Sequence, residues 1–200
     1  FPITAPSTND DFEGVALGHQ WNFNHNPRDT HWSLTERFGW LRLKASIPVS
    51  QGGFLKACNT LSQRIMGTGK GRAIARFDLS GMEPGQRAGF VRFGGVYYLL
   101  GVHMSEDGTK RLFFDNNGDR LDGSELESND LWVRTINDGN MAHFAYSTDG
   151  KSYQDLGPEF TLKFGNWMGD RLGFFSYNEK EEAGYVAVIY GAHPKVITFQ

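Results

Sequence analysis

Between residues 21 and 64 the chain crowds planar polar groups among indoles: Trp21-Asn22-Phe23-Asn24-His25-Asn26-Pro27, Trp32-Ser33-Leu34-Thr35-Glu36-Arg37 and Asn59-Thr60-Leu61-Ser62-Gln63-Arg64. Amide, imidazole and guanidinium groups supply fixed donors and acceptors, and an indole supplies a flat apolar face. A neutral polyol such as a sugar needs both, because its C–H faces stack on rings while its hydroxyls demand partners. Trp21, Asn24, His25, Asn26, Trp32, Asn59, Gln63 and Arg64 are therefore the expected contacts of such a ligand. The same residue types also suit an internal hydrogen-bond network, since a buried amide without a partner is costly.

Other chemistries fit less well. The six histidines, at 19, 25, 31, 103, 143 and 193, have no cysteine or carboxylate partners at the spacing of a tetrahedral zinc site. Asp115 to Glu125 places oxygen side chains at the first, third and fifth positions of a would-be calcium loop. Arg120 then stands where the tight-turn glycine belongs and Leu126 where the bidentate glutamate belongs. A hairpin rich in Asn, Asp and Gly explains that run too. The acidic run Asn9-Asp10-Asp11-Phe12-Glu13 is a second place for calcium, so no cofactor is expected and calcium alone stays open. Gly67-Thr68-Gly69-Lys70-Gly71-Arg72 lacks phosphate-loop spacing, and a strand follows it where a helix should. Cys58, read as lying in a strand, is a packing thiol. Glycoside hydrolysis needs two carboxylates, one held protonated by burial. Most acids here border turn glycines (Asp107, Asp138, Asp149, Asp170), where solvation is expected to keep the pKa ordinary, so the residues disclose no catalytic set.

The elements that must position these groups are strands. Apolar residues recur with period two in Trp40–Lys44, Ile74–Leu79, Gly89–Phe93 and Met141–Tyr146. Turn sequences such as Glu106-Asp107-Gly108, Asn137-Asp138-Gly139-Asn140 and Asp149-Gly150 separate them. Only 124–131 shows a weak helical period. About a dozen strands in two packed antiparallel sheets follow: an all-β fold with one domain over 9–200 and a tether or crossing segment over 1–8. A net charge of −3 with scattered Lys and Arg speaks against a nucleic-acid partner. No apolar run approaches a membrane span, so no membrane partner is expected. The single cysteine excludes an internal disulfide framework, and a start at Phe1 rather than Met leaves room for a preceding domain.

Asp10-Asp11-Phe12-Glu13, Trp21-Asn22-x-Asn24-His25-Asn26-Pro27, Trp32 to Leu43, Asn59 to Arg64, Asp78-Leu79-Ser80-Gly81-Met82, Ala88-Gly89 and Tyr146-Ser147-x-Asp149-Gly150 resemble one family. It is the C-terminal β-sandwich module of glycoside hydrolase family 43 β-xylosidases and α-L-arabinofuranosidases. The resemblance covers nearly the whole chain and implies a concanavalin A-like jelly roll that follows a five-bladed propeller carrying the catalytic acids. Related modules bind xylan. It thus implies a non-catalytic accessory module binding xylan, arabinoxylan or xylo-oligosaccharide on a concave face. Trp21 or Trp32 would stack there, and Asn24, Asn26, Gln63 and Arg64 would bond hydroxyls. In some members a sandwich loop points an aromatic side chain at the propeller's pocket. By chain order the match is 165–178, with Trp167 or Phe174 in that part, and Phe174 and Tyr177 are also counted among the sugar contacts. Two alternatives stand beside this: a module that docks on the propeller and shapes its pocket without holding sugar, and a catalytic jelly roll. Polysaccharide use favours a secreted or periplasmic setting over the cytoplasm.

Overall fold

The computed structural model describes residues 8–65, 69–163, 165 and 169–191. Among them run fifteen strands: β1 (Trp21–Phe23), β2 (Trp32–Ser33), β3 (Leu41–Lys44), β4 (Leu61–Arg64), β5 (Gly71–Asp78), β6 (Arg87–Phe93), β7 (Tyr97–Met104), β8 (Lys110–Asn116), β9 (Asp119–Glu125), β10 (Asp130–Asp138), β11 (Met141–Ser147), β12 (Gln154–Asp155), β13 (Phe160–Thr161), β14 (Arg171–Tyr177) and β15 (Tyr185–Tyr190). One sheet has the order β1-β4-β14-β6-β7-β8-β9, the other β12-β11-β10-β5-β15-β3-β2 with β13 also on β11. Every named pair is antiparallel. The excess over a dozen comes from strands of two residues at sheet edges, too short to show a period.

Alternation decides which residues enter the core. In β5 every second residue is buried, and Ala73, Ala75 and Phe77 face the same side as their β10 partners Thr135, Val133 and Leu131. From the opposing sheet Leu61, Phe90, Leu100, Phe114, Leu172 and Phe174 join them in one apolar cluster. Its centre is aromatic, with Phe90 stacked on Phe174 at 5.4 Å and edge-on to Phe144 at 6.3 Å. A second cluster covers the outer face of the seven-stranded sheet. There the 3-10 turn Gly53–Lys56 lays Phe54 against Phe93, Tyr97 and Phe175 at 5.0 to 5.7 Å. That sheet is thus apolar on both sides. Gly101 makes room there, since a Cβ would come within 3.1 Å of the Phe113 ring and 2.7 Å of the Ala88 carbonyl.

Some local expectations change. The stretch 124–131 holds no helix; it ends β9, crosses through 126–129 and begins β10. Cys58 is buried in a turn, not a strand. The run from Asp115 is a hairpin rather than a loop around an ion: Asn117 and Gly118 take φ of 52° and 104° and join β8 to β9. Asp115 accepts the Gly118 N–H at 2.7 Å. Residues 1–7 of the tether and Trp167 lie outside the described residues, while Thr8 lies against Gln63.

Candidate functional site

The structure brings the segment from Trp21 to Arg64 together, but mostly as an internal seal. Trp21 and Gln63 are Cα partners in the β1–β4 pair, so both point the same way, between the sheets. Trp21 is 7% exposed; its indole N–H donates to Asp10 Oδ2 at 2.7 Å, and its ring packs on Phe12, Phe174 and Tyr190 at 5.5 to 5.6 Å. No sugar can stack on it. Gln63 is buried and donates to the Thr8 carbonyl at 2.9 Å, and buried Asn59 donates to the Lys44 carbonyl. Half-buried Asn24 donates to the Leu55 carbonyl at 3.0 Å. These amides satisfy backbone groups where turns pass under the sheet edge, as buried amides must. Phe174 is wholly buried in the central cluster, and Tyr177 is buried on the outer face of the seven-stranded sheet. As open sugar contacts, Trp21, Asn59, Gln63, Phe174 and Tyr177 are corrected to structural residues.

The rest of the set lies nearer to solvent. Asn26 and Arg64 are exposed, and His25 and Trp32 are half-buried. Trp32 lies on Phe23 at 5.3 Å and closes the gap between the edge strands β1 and β2. Its indole N–H and His25 Nδ1 are shielded without a partner among the described residues.

A pattern that types and spacing alone did not disclose dominates the outer faces. Half-exposed and shallow rings are covered by guanidinium groups from neighbouring strands or turns. Arg37 lies 3.8 Å from the Trp40 centroid, and Arg76 sits between Trp40 and Trp132 at 5.3 and 4.8 Å. Arg42 covers Tyr185 at 4.2 Å, Arg120 covers Phe113 at 4.4 Å, Arg134 covers Tyr153 at 4.0 Å and Arg171 covers Phe93 at 4.0 Å. These are cation–π contacts. They were foreseeable only from register: Arg76 and Trp132 are Cα partners across β5 and β10, as Arg171 and Phe93 are across β14 and β6. A sugar stacking on any of these rings would have to displace a guanidinium first.

Glu36, Asp78, Asp107, Asp149 and Glu182 all hold their protons less tightly than usual. For Glu36 the main cause is its hydrogen bond with Lys44; for Asp149, held near 2, it is the backbone N–H groups of Ser152 and Lys151. A glycosidase general acid requires the opposite shift. Among the described residues no three His, Cys, Asp or Glu side chains gather to hold a metal ion. The most buried charge is Arg92, which pairs with Asp170 and reaches Thr135 and Asn137 at 3.4 Å. This pair anchors two loops at one end of the sandwich. Asp170 also accepts the Ile65 N–H through its carbonyl at 3.0 Å, and Asn137 donates to the Gly69 carbonyl at 2.8 Å.

Two antiparallel sheets with strands joined out of sequence order around a shared apolar centre define a lectin-like sandwich. The chain belongs to the family described as "Beta xylosidase C-terminal Concanavalin A-like domain", whose model matches residues 9–190. It is 53% identical over 207 residues to a β-xylosidase of Formosa agariphila, covering 94% of this chain and 35% of that protein. A putative β-xylosidase of Xylanibacter ruminicola is 34% identical over 160 residues, covering 79% and 29%. Among solved structures, a bifunctional GH43-CE protein of Bacteroides eggerthii superposes with a TM-score of 0.80 at 30% identity, over 91% of this chain and 25% of that one. A laminarinase of Flavobacterium sp. UMI-01 shares the fold alone, with a TM-score of 0.59 at 10% identity over 92% and 97% of the two chains. The chain therefore spans about a third of the length of the curated relatives it matches.

Proposed function

We propose that this chain is the non-catalytic accessory sandwich of a xylan-degrading glycoside hydrolase of family 43, and that it works by packing against a linked catalytic domain. The observation that carries this reading is the covering of the outer rings: Trp40, Tyr185, Phe113, Tyr153 and Phe93 each lie under a guanidinium. Carbohydrate-binding surfaces work through bare rings, and the two tryptophans first expected to supply them serve the core and the sheet edge. Substrate, linked propeller and xylan breakdown come to this chain from its relatives and are part of the proposal.

One observation favours a second reading, in which the chain itself holds a xylan-type sugar. The indole N–H of Trp32, at the start of β2, and His25 Nδ1, beside exposed Asn26 in the segment after β1, have no partner among the described residues, which leaves polar groups for a hydroxyl. Calorimetric titration of the isolated chain with xylo-oligosaccharides decides between them. Docking without sugar binding predicts no saturable heat up to about 1 mM ligand. Saturable heat that disappears in Trp32→Ala at unchanged melting temperature would establish the second reading instead.

A further inference from the structure

The chain has twelve arginines, all among the described residues. Eight of them (28, 37, 42, 76, 87, 92, 111 and 120) pair with a carboxylate. The other four, Arg64, Arg72, Arg134 and Arg171, have no carboxylate partner among the described residues. Arg64 ends β4 and is the Cα partner of Arg171, which begins β14. Like charges directly opposite on neighbouring strands repel. Arg171 cannot swing away freely, because its guanidinium lies on Phe93 at 4.0 Å and its Nε is shielded from solvent. Burial first, and then Arg64, make it a weaker base than a free arginine. On the other sheet Arg72 faces Ile136 and Arg134 faces Ile74, so these two are diagonal neighbours across β5 and β10. Arg72 and Arg134 lie on the outer face of the eight-stranded sheet, with Arg134 in mid-strand. Arg64 and Arg171 instead share the outer face of the seven-stranded sheet, at the end of β4 and the start of β14, next to the Arg92–Asp170 pair.

We infer that this end, centred on Arg64 and Arg171, docks against an acidic surface of the linked catalytic domain. The inference rests on the docking reading above and adds which face docks and what charge it meets. In a protein of net charge −3 that pairs eight of its arginines, the adjacent uncompensated guanidiniums of Arg64 and Arg171 are a standing positive patch. A carboxylate from outside relieves the repulsion and restores charge-assisted hydrogen bonds to planar forks that accept two at once. The anchored loop bases hold the arginines in place, so little ordering is required on contact. The length missing relative to the curated relatives supplies a partner covalently, at high effective concentration.

The test uses the full parent enzyme, comparing the natural sequence with Arg64→Glu/Arg171→Gln by small-angle scattering at about 0.05 and 0.5 M salt. The expected result is a compact natural enzyme that loosens at high salt and a variant with a larger radius of gyration at both. In the 200-residue chain, Arg64→Glu alone should raise the melting temperature by about 1–3 °C, because it turns a repulsive cross-strand pair into an attractive one. An equally compact variant would overturn the inference while leaving docking through another face intact. A natural enzyme extended at both salt levels would overturn the docking reading and the inference together. A melting temperature that falls in Arg64→Glu would make the arginines structural. Saturable binding of a uronic-acid-bearing xylo-oligosaccharide, lost in the variant, would replace the domain surface by a glycan.

Discussion

Trp21 has its indole N–H on half-buried Asp10 and its ring wedged among Phe12, Phe174 and Tyr190, so its removal leaves a cavity and takes one hydrogen bond from a carboxylate that keeps those of the Phe12 N–H and Gln20. Trp21→Ala is expected to cost about 3–5 kcal/mol of stability, read from urea unfolding. Loss of sugar binding at unchanged stability would refute its place in the core. Residue types alone could not locate Trp21. Its neighbours Asn24, Asn59 and Gln63 carry groups that suit a sugar and a backbone carbonyl equally well. The deciding fact is register, since pairing Trp21 with Gln63 turns both inward. Of the other residues read as sugar contacts, Asn26, His25 and Trp32 lie at a rim, while Arg64 sits at the end of β4 beside Arg171.

The longer strands were legible because alternation survives wherever one face is buried. Trp40–Lys44 contains β3, Ile74–Leu79 overlaps β5, Gly89–Phe93 lies in β6 and Met141–Tyr146 lies in β11. Two-residue strands and the helical look of 124–131 were not resolved, since so few residues carry no period. Turns were legible where Asn, Asp and Gly combine, and the turn after β11 makes this testable. Asp149 Oδ1 accepts N–H groups from Lys151 and Ser152 at 2.7 and 2.8 Å and bonds the Ser147 hydroxyl at 2.7 Å. Its pKa falls from 3.8 to about 2 on folding. A depressed folded pKa means the carboxylate stabilises the fold above the unfolded value and loses that contribution as pH drops through the folded one. The gap in melting temperature between the natural chain and Asp149→Ala should thus be constant above about pH 5 and close towards pH 2. A gap that ignores pH would remove the charged turn from the account.

At the scale of the whole molecule, the two sheets make a self-sufficient core and present arginine-covered rings outward, with unpaired Arg64 and Arg171 side by side at the anchored end. Such a surface suits a protein neighbour carrying acidic groups better than a bare-ring grip on a polysaccharide. The family, the fold and the accessory standing were all approached from the motifs of the chain. The covered faces were not, because most covers come from a different strand or turn than their rings. The central claim is that the module acts by docking, and adding the chain back to its catalytic partner tests it most directly. The catalytic part of the parent glycosidase would be assayed on short xylo-oligosaccharides while the 200-residue chain is titrated in. The account predicts that kcat/KM rises saturably with added chain, although the chain alone binds no substrate. A kcat/KM unchanged at every concentration of added chain would contradict it.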